Sequence, residues 1–255
     1  GSLELNKSEY TISDKAEITL VDPDLNLDSK EKDEYKYDVN PLVKVASEKD
    51  NKVFGVTITE TGLNTGVFTG KFKFTFDATG VGDDQPKIPV SKGPQKVNVT
   101  YVDPRTTTAE NVPITKKADF KTFTGTISLD KYEYSPGQTG TITLVDPDLN
   151  LDPTSTDRIS SEGNVGDPGS VDIYSPVDGT YYRVLLLETG PDTGEFTGNF
   201  KLVTGSGSPG DIPKVGVSKD NNKFKARYHD ALNADGKTKT YETDEATCKA
   251  TTGSI

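Results

Sequence analysis

Short runs rich in Val, Ile, Thr, Tyr and Phe recur along the chain between clusters of Gly, Pro, Asn and Asp, and helical periodicity is nearly absent. The pattern predicts strands near Leu3–Tyr10, Glu17–Val21, Leu42–Ala46, Phe54–Glu60, Val67–Phe76, Lys96–Val102 and Ile114–Phe120. A second set is predicted near Ile127–Tyr134, Thr141–Val145, Val171–Tyr174, Tyr181–Leu187, Phe196–Val203, Lys223–Tyr228 and Lys239–Thr243. Seven short strands with turns at this density fit an immunoglobulin-like β-sandwich, although the cysteine pair and the tryptophan of antibody domains are missing.

The strand pattern repeats because the sequence repeats. ITLVDPDLNLD at Ile18 to Asp28 returns unchanged at Ile142 to Asp152, and ETGLNTGVFTG (Glu60 to Gly70) answers ETGPDTGEFTG (Glu188 to Gly198). Ser91 to Asp103 pairs in the same way with Ser218 to Asp230. The expectation is an all-β chain of two tandem domains, residues 1–124 and 125–255, with almost no linker. After its second strand each copy carries its longest and least alike loop, SKEKDEYKYDVN in one and PTSTDRISSEGNVGDPGS in the other. Such loops either carry the contacts in which the copies differ or are solvated and tolerant of insertion.

With AVILMFWYC at 31% and a mean hydropathy of −0.60, each core is expected to be thin. No apolar run is long enough to span a membrane as a helix. A start at Gly1-Ser2 in a chain without methionine reads as a mature or excised piece, which leaves open an anchor outside it. The formal charge of −11 argues against nucleic acid, whose phosphates are bound by clustered Lys and Arg, and makes cations the expected partners. A single cysteine, Cys248, excludes an internal disulfide; it is expected in a polar tail.

Acidity acquires a pattern in the repeated segment. Oxygen-bearing residues fall at every second position: Asp22, Asp24, Asn26 and Asp28, then Asp146, Asp148, Asn150 and Asp152. Calcium takes six to eight oxygen ligands, and side chains spaced by two in a looping chain are able to turn inward together. Asp33 and Asp157 extend the series to the twelfth position of an EF-hand loop, but Leu27 and Leu151 stand where that motif needs glycine, so the rhythm is related and the motif is not. Alternating strand directions would bring Glu60 and Asp103, or Glu188 and Asp230, to the same end of each sandwich. Crowded carboxylates repel one another unless a cation sits among them. The competing reading is turn chemistry, since Asp-Pro-Asp and the Thr-Gly pairs of ETGxxTG are good turn formers.

Catalytic signals are poor. His229 is the only histidine, its counterpart is Val102, and it is expected as a strand-end surface residue; no phosphate-binding or paired-histidine motif is present. The chain is therefore expected not to be an enzyme. Two N-glycosylation sequons, at Asn6 and Asn98, are compatible with an exterior location.

The pairing of ITLVDPDLNLD with ETGxxTGxFTG in both copies resembles the tandem immunoglobulin-like domains of S-layer and related cell-surface proteins of ammonia-oxidising archaea. The resemblance implies an exported structural protein that associates with itself in a surface lattice, with divalent cations supporting fold or lattice. The charge of −11 would give such a lattice a negative field that gathers cations, or else serves only to keep an exported protein soluble. An adhesin or carbohydrate-binding module of a larger secreted protein is the alternative, for which Tyr174, Tyr181 and Tyr182 are the platform candidates.

Overall fold

The computed structural model describes residues 1–105, 111–219 and 222–249. The chain divides into two compact units, Gly1–Thr122 and Phe123–Ile255, close to the division expected from the repeat. Each unit is a β-sandwich, and among the described residues there is no α-helix.

Unit 1 contains β1 (Ser2–Leu5), β2 (Glu9–Tyr10), β3 (Lys15–Val21), β4 (Glu34–Tyr35), β5 (Val43–Ser47), β6 (Val53–Val56), β7 (Ile58–Glu60), β8 (Val67–Thr75), β9 (Lys87–Pro89), β10 (Gln95–Asp103) and β11 (Val112–Phe120). One sheet runs β1-β3-β8-β7-β4 with β9 parallel to β8; the other runs β2-β11-β10-β5-β6. Unit 2 contains β12 (Thr126–Leu129), β13 (Glu133–Tyr134), β14 (Thr139–Val145), β15 (Arg158–Ile159), β16 (Val171–Ser175), β17 (Thr180–Arg183), β18 (Leu186–Glu188), β19 (Glu195–Thr204), β20 (Lys214–Val217), β21 (Lys223–Phe224), β22 (Ala226–Asp230), β23 (Lys239–Glu242) and β24 (Ala246–Cys248). Its first sheet repeats that of unit 1, and its second is broken into β17-β16-β22-β23 and β13-β24-β21.

Period-two alternation builds both cores. On β8 the side chains of Phe68, Phe72 and Phe74 point inward, and on β19 Phe196, Phe200 and Leu202 do the same; the facing strands contribute Val97, Val99 and Tyr101, or Ala226 and Tyr228. Burying one such phenylalanine contributes about 1.5–3 kcal/mol, so a handful of rings anchors a chain that is otherwise poor in apolar residues.

Several expected strands split where the chain changes sheet. The strand expected over Leu3–Tyr10 leaves the first sheet after Leu5 and enters the second at Glu9. Asn6 Oδ1 accepts the Tyr10 hydroxyl at 2.7 Å and the Glu17 amide at 2.8 Å, turning the chain so that Tyr10 enters the core. Asp130 does the same in unit 2, accepting the Tyr134 hydroxyl at 2.8 Å and the Thr141 amide at 2.7 Å. The strand expected over Phe54–Glu60 divides because β6 pairs with β5 while β7 pairs with β8, in the opposite sheet. Cys248 corrects another expectation: it lies on β24 between β13 and β21, buried in the core, and not in a polar tail.

Candidate functional site

The three acidic elements of each copy meet at one end of its sandwich. In unit 2, Asp146 follows β14 and caps a 3-10 turn, Pro147–Leu149, by accepting the Asp148 amide on Oδ1 at 2.9 Å; its Oδ2 accepts the Tyr228 hydroxyl at 2.6 Å. Asp230 accepts the amides of Gly125 at 3.0 Å and Leu232 at 3.1 Å. Unit 1 repeats the arrangement: Asp22 holds the Asp24 amide at 3.0 Å and the Tyr101 hydroxyl at 2.6 Å, while Asp103 accepts the Gly1 ammonium at 2.7 Å and the Arg105 amide at 2.9 Å. Gly1 and Gly125 thus occupy the same place, one with an ammonium and one with an amide.

Glu60 and Glu188 organise the hairpins that face these turns. Glu188 Oε1 accepts the amides of Thr193 at 3.0 Å and Gly194 at 2.9 Å, and Oε2 accepts that of Asp157 at 2.9 Å. Glu60 holds Thr65 at 2.6 Å and Gly66 at 2.8 Å. Burial works against either charge, but this ring of N–H donors outweighs it and holds both carboxyls below the usual range. Gly194 has φ +60°, and a Cβ there would lie 2.9 Å from Pro147 Cα, so the hairpin reaches the turn only through glycine.

Asp28 and Asp152 are exposed and accept the amides of Lys30 and Thr154 at 2.8 and 3.0 Å; Asp33 and Asp157 tie down the amides of Leu27 and Leu151 at 2.7 and 2.6 Å. Asp24 is exposed as well. The site residues are therefore brought to one end while their oxygens are drawn into separate turns, and among the described residues no group of three or more His, Cys, Asp or Glu side chains is gathered as a metal would need.

Asp148 and Asn150 depart from that pattern. Both are 5% exposed, and Oδ1 of each is buried without a hydrogen-bond partner, although Asp148 Oδ2 accepts the Phe123 amide at 2.6 Å and Asn150 donates to Asp192 at 2.7 Å. The Oδ1 of Asn26, the counterpart of Asn150, is buried and unpartnered too, so the open acceptor belongs to the repeated motif. Burial pushes Asp148 up to about 8 and Asp146 up to about 6, and raises Asp230; the neighbouring carboxylates push Asp148 and Asp146 further the same way.

A second polar cluster in unit 2 was not anticipated. His229 is buried on β22, not a surface residue at a strand end. Its Nε2 lies 2.9 Å from Oδ2 of the fully buried Asp172, and its Nδ1 lies 3.0 Å from Thr240 Oγ1. The signal was available in the repeat: the registers equate Asp172, Arg227 and His229 with Lys44, Thr100 and Val102, so a single lysine on the outer face of unit 1 is replaced by an acid, an arginine and a histidine in unit 2. Tyr174 and Tyr181 share that outer face, with ring centroids 5.1 Å apart and the Arg227 guanidinium 3.6 Å from the Tyr181 ring. Tyr182 packs inward against the core.

No family model and no curated protein matches the chain. Among solved structures it is similar to the Yersinia pseudotuberculosis adhesin InvE, with 13% identity over 96% of this chain and 58% of that one and a TM-score of 0.28. It is also similar to the collagen adhesin of S. aureus (9% identity, 97% and 92% covered, TM-score 0.20). A third is the type II cohesin dyad from the adaptor ScaA scaffoldin of Acetivibrio cellulolyticus (11%, 95% and 96%, TM-score 0.22). The chain spans little more than half of the first of these.

Proposed function

We propose that the chain is a structural segment of an extracellular surface coat of the S-layer kind, which associates with copies of itself and is supported by divalent cations. The observation that carries this reading is the acidic end built twice from the same bonds: a duplicated scaffold held by turns, tyrosine hydroxyls and caps suits a rigid load-bearing repeat. Calcium does not fit the full series of acidic residues, since most already serve as acceptors in turns. Its narrower form would be held in unit 2 by Asp148 Oδ1 and Asn150 Oδ1, two buried acceptors left without a hydrogen-bond partner, with water completing its shell. There it would replace the proton that burial otherwise holds on Asp148.

An adhesin or carbohydrate-binding module is the second reading, favoured by the outward Tyr174–Tyr181 pair and its stacked Arg227. Electron microscopy of the concentrated protein with calcium separates the two. Ordered sheets support the coat. A monomer at every concentration, with glycan binding that Tyr181→Ala removes, supports the module.

A further inference from the structure

At the end of unit 2 away from Asp146, four strand ends surround a cavity of about 320 Å³. Pro136 follows β13, and Thr204, Val217 and Cys248 close β19, β20 and β24; all four line the cavity, with Lys219 beside them. β19 spans the unit from one end to the other, its first residue, Glu195, pairing with Val145 next to Asp146 and Thr204 being its last. Cys248 is 4% exposed, and burial raises its pKa, so it remains a neutral thiol and forms part of a mainly apolar wall.

The cavity arises by substitution within the repeat. The ladders equate Phe76 with Thr204 and Phe120 with Cys248, and two residues beyond the matched Tyr10 and Tyr134 stand Ile12 and Pro136. In unit 1 these three side chains belong to the core, the Phe120 ring lying 5.1 Å from that of Phe74 and 6.4 Å from that of Phe76. All three are smaller in unit 2, while Val217 matches Val90. Phe224 stands where unit 1 has Val97, but its ring packs 5.5 Å from those of Tyr134 and Phe200 and leaves the strand ends open. The charge beside the cavity differs as well. Lys92 Nζ donates to the Lys49 carbonyl at 2.7 Å, whereas its counterpart Lys219 is exposed and makes no ion pair among the described residues.

We propose that this cavity binds a small aromatic carboxylate, ring inward and carboxylate toward Lys219. Large-to-small replacement in a core leaves a hole that costs stability, and unit 2 retains one where its sister unit is packed with rings. An apolar cavity is poorly hydrated and about 150 Å³ suffices for benzene, so one of about 320 Å³ admits a ring with a short side chain. The Lys219 ammonium favours an anionic end on that side chain over a neutral one.

The test is NMR titration of the whole chain with phenylacetate and with its neutral analogue 2-phenylethanol. Both are expected to shift the resonances of Thr204, Val217 and Cys248 and to leave those of Phe76, Val90 and Phe120 unmoved. Thr204→Phe and Cys248→Phe restore the residues of unit 1 and should weaken both probes more than about tenfold, the loss of one buried ring. Lys219→Ala should weaken phenylacetate about twofold to fivefold and leave 2-phenylethanol unchanged. Absence of shifts at these residues with millimolar phenylacetate, undiminished binding in the filled variants, or an equal response of the two probes to Lys219→Ala overturns the proposal. The unaltered protein and the exposed Lys219→Ala variant decide the matter even if a filled variant fails to fold.

Discussion

Tyr228 donates its hydroxyl to Asp146 Oδ2 at 2.6 Å, and Tyr101 donates to Asp22 at the same distance. Both phenols are buried, and burial beside a carboxylate raises their pKa, so each remains a donor at any ordinary pH. Tyr228→Phe leaves Asp146 without that donor and is expected to destabilise unit 2 by about 1–3 kcal/mol in urea unfolding. Tyr101→Phe should do the same to unit 1. Unfolding midpoints within error of the unaltered protein would count against the tyrosine–aspartate clasp.

Gly194→Ala should cost more than about 1 kcal/mol, because it combines a positive φ with a Cβ 2.9 Å from the Pro147 backbone. Gly137 also has a positive φ but has nothing within 4 Å of a Cβ. Gly137→Ala is expected to cost less, and differential scanning calorimetry of the two variants separates close approach from backbone strain.

The pH dependence of unit 2 should have two limbs of opposite sign. Asp146 and Asp148 are raised, to about 6 and about 8, so the folded unit binds more protons than the unfolded chain; their contribution is full below about pH 4 and is lost as pH rises through 6 and 8. The slope is up to about 1.4 kcal/mol per pH unit for each proton released. Glu188 is lowered, so its contribution is present at neutral pH and is lost as pH falls through its depressed value. Denaturant midpoints between pH 3 and 9 should therefore pass through a maximum on the acid side of neutrality. Asp148→Asn should flatten the alkaline limb.

The all-β class, the duplication and the convergence of three acidic elements were legible in the sequence, because period-two burial and turn residues are local signals. What each carboxylate does was not. Glu188 and Asp230 look like ligands in a list of acids, yet their oxygens are taken by the amides of Thr193, Gly194, Gly125 and Leu232, and a backbone donor leaves no mark in composition. The sheet changes at Asn6 and Asp130 rest on one side-chain oxygen each, which a strand pattern does not encode. The His229–Asp172 pair joins residues 57 positions apart, and only the comparison of the two copies hints at it.

The most direct measurement is the thermal unfolding of unit 2 at pH 8 with calcium and with chelator, in the unaltered chain and in Asp148→Asn. A cation that completes Asp148 and Asn150 should raise the melting temperature of the unaltered protein by several degrees at saturation, since a hundredfold excess over the dissociation constant adds about 2.7 kcal/mol. The rise should shrink at pH 5, where the proton competes, and vanish in Asp148→Asn. Identical melting with calcium and chelator at pH 8, or a full calcium response in Asp148→Asn, would contradict the account.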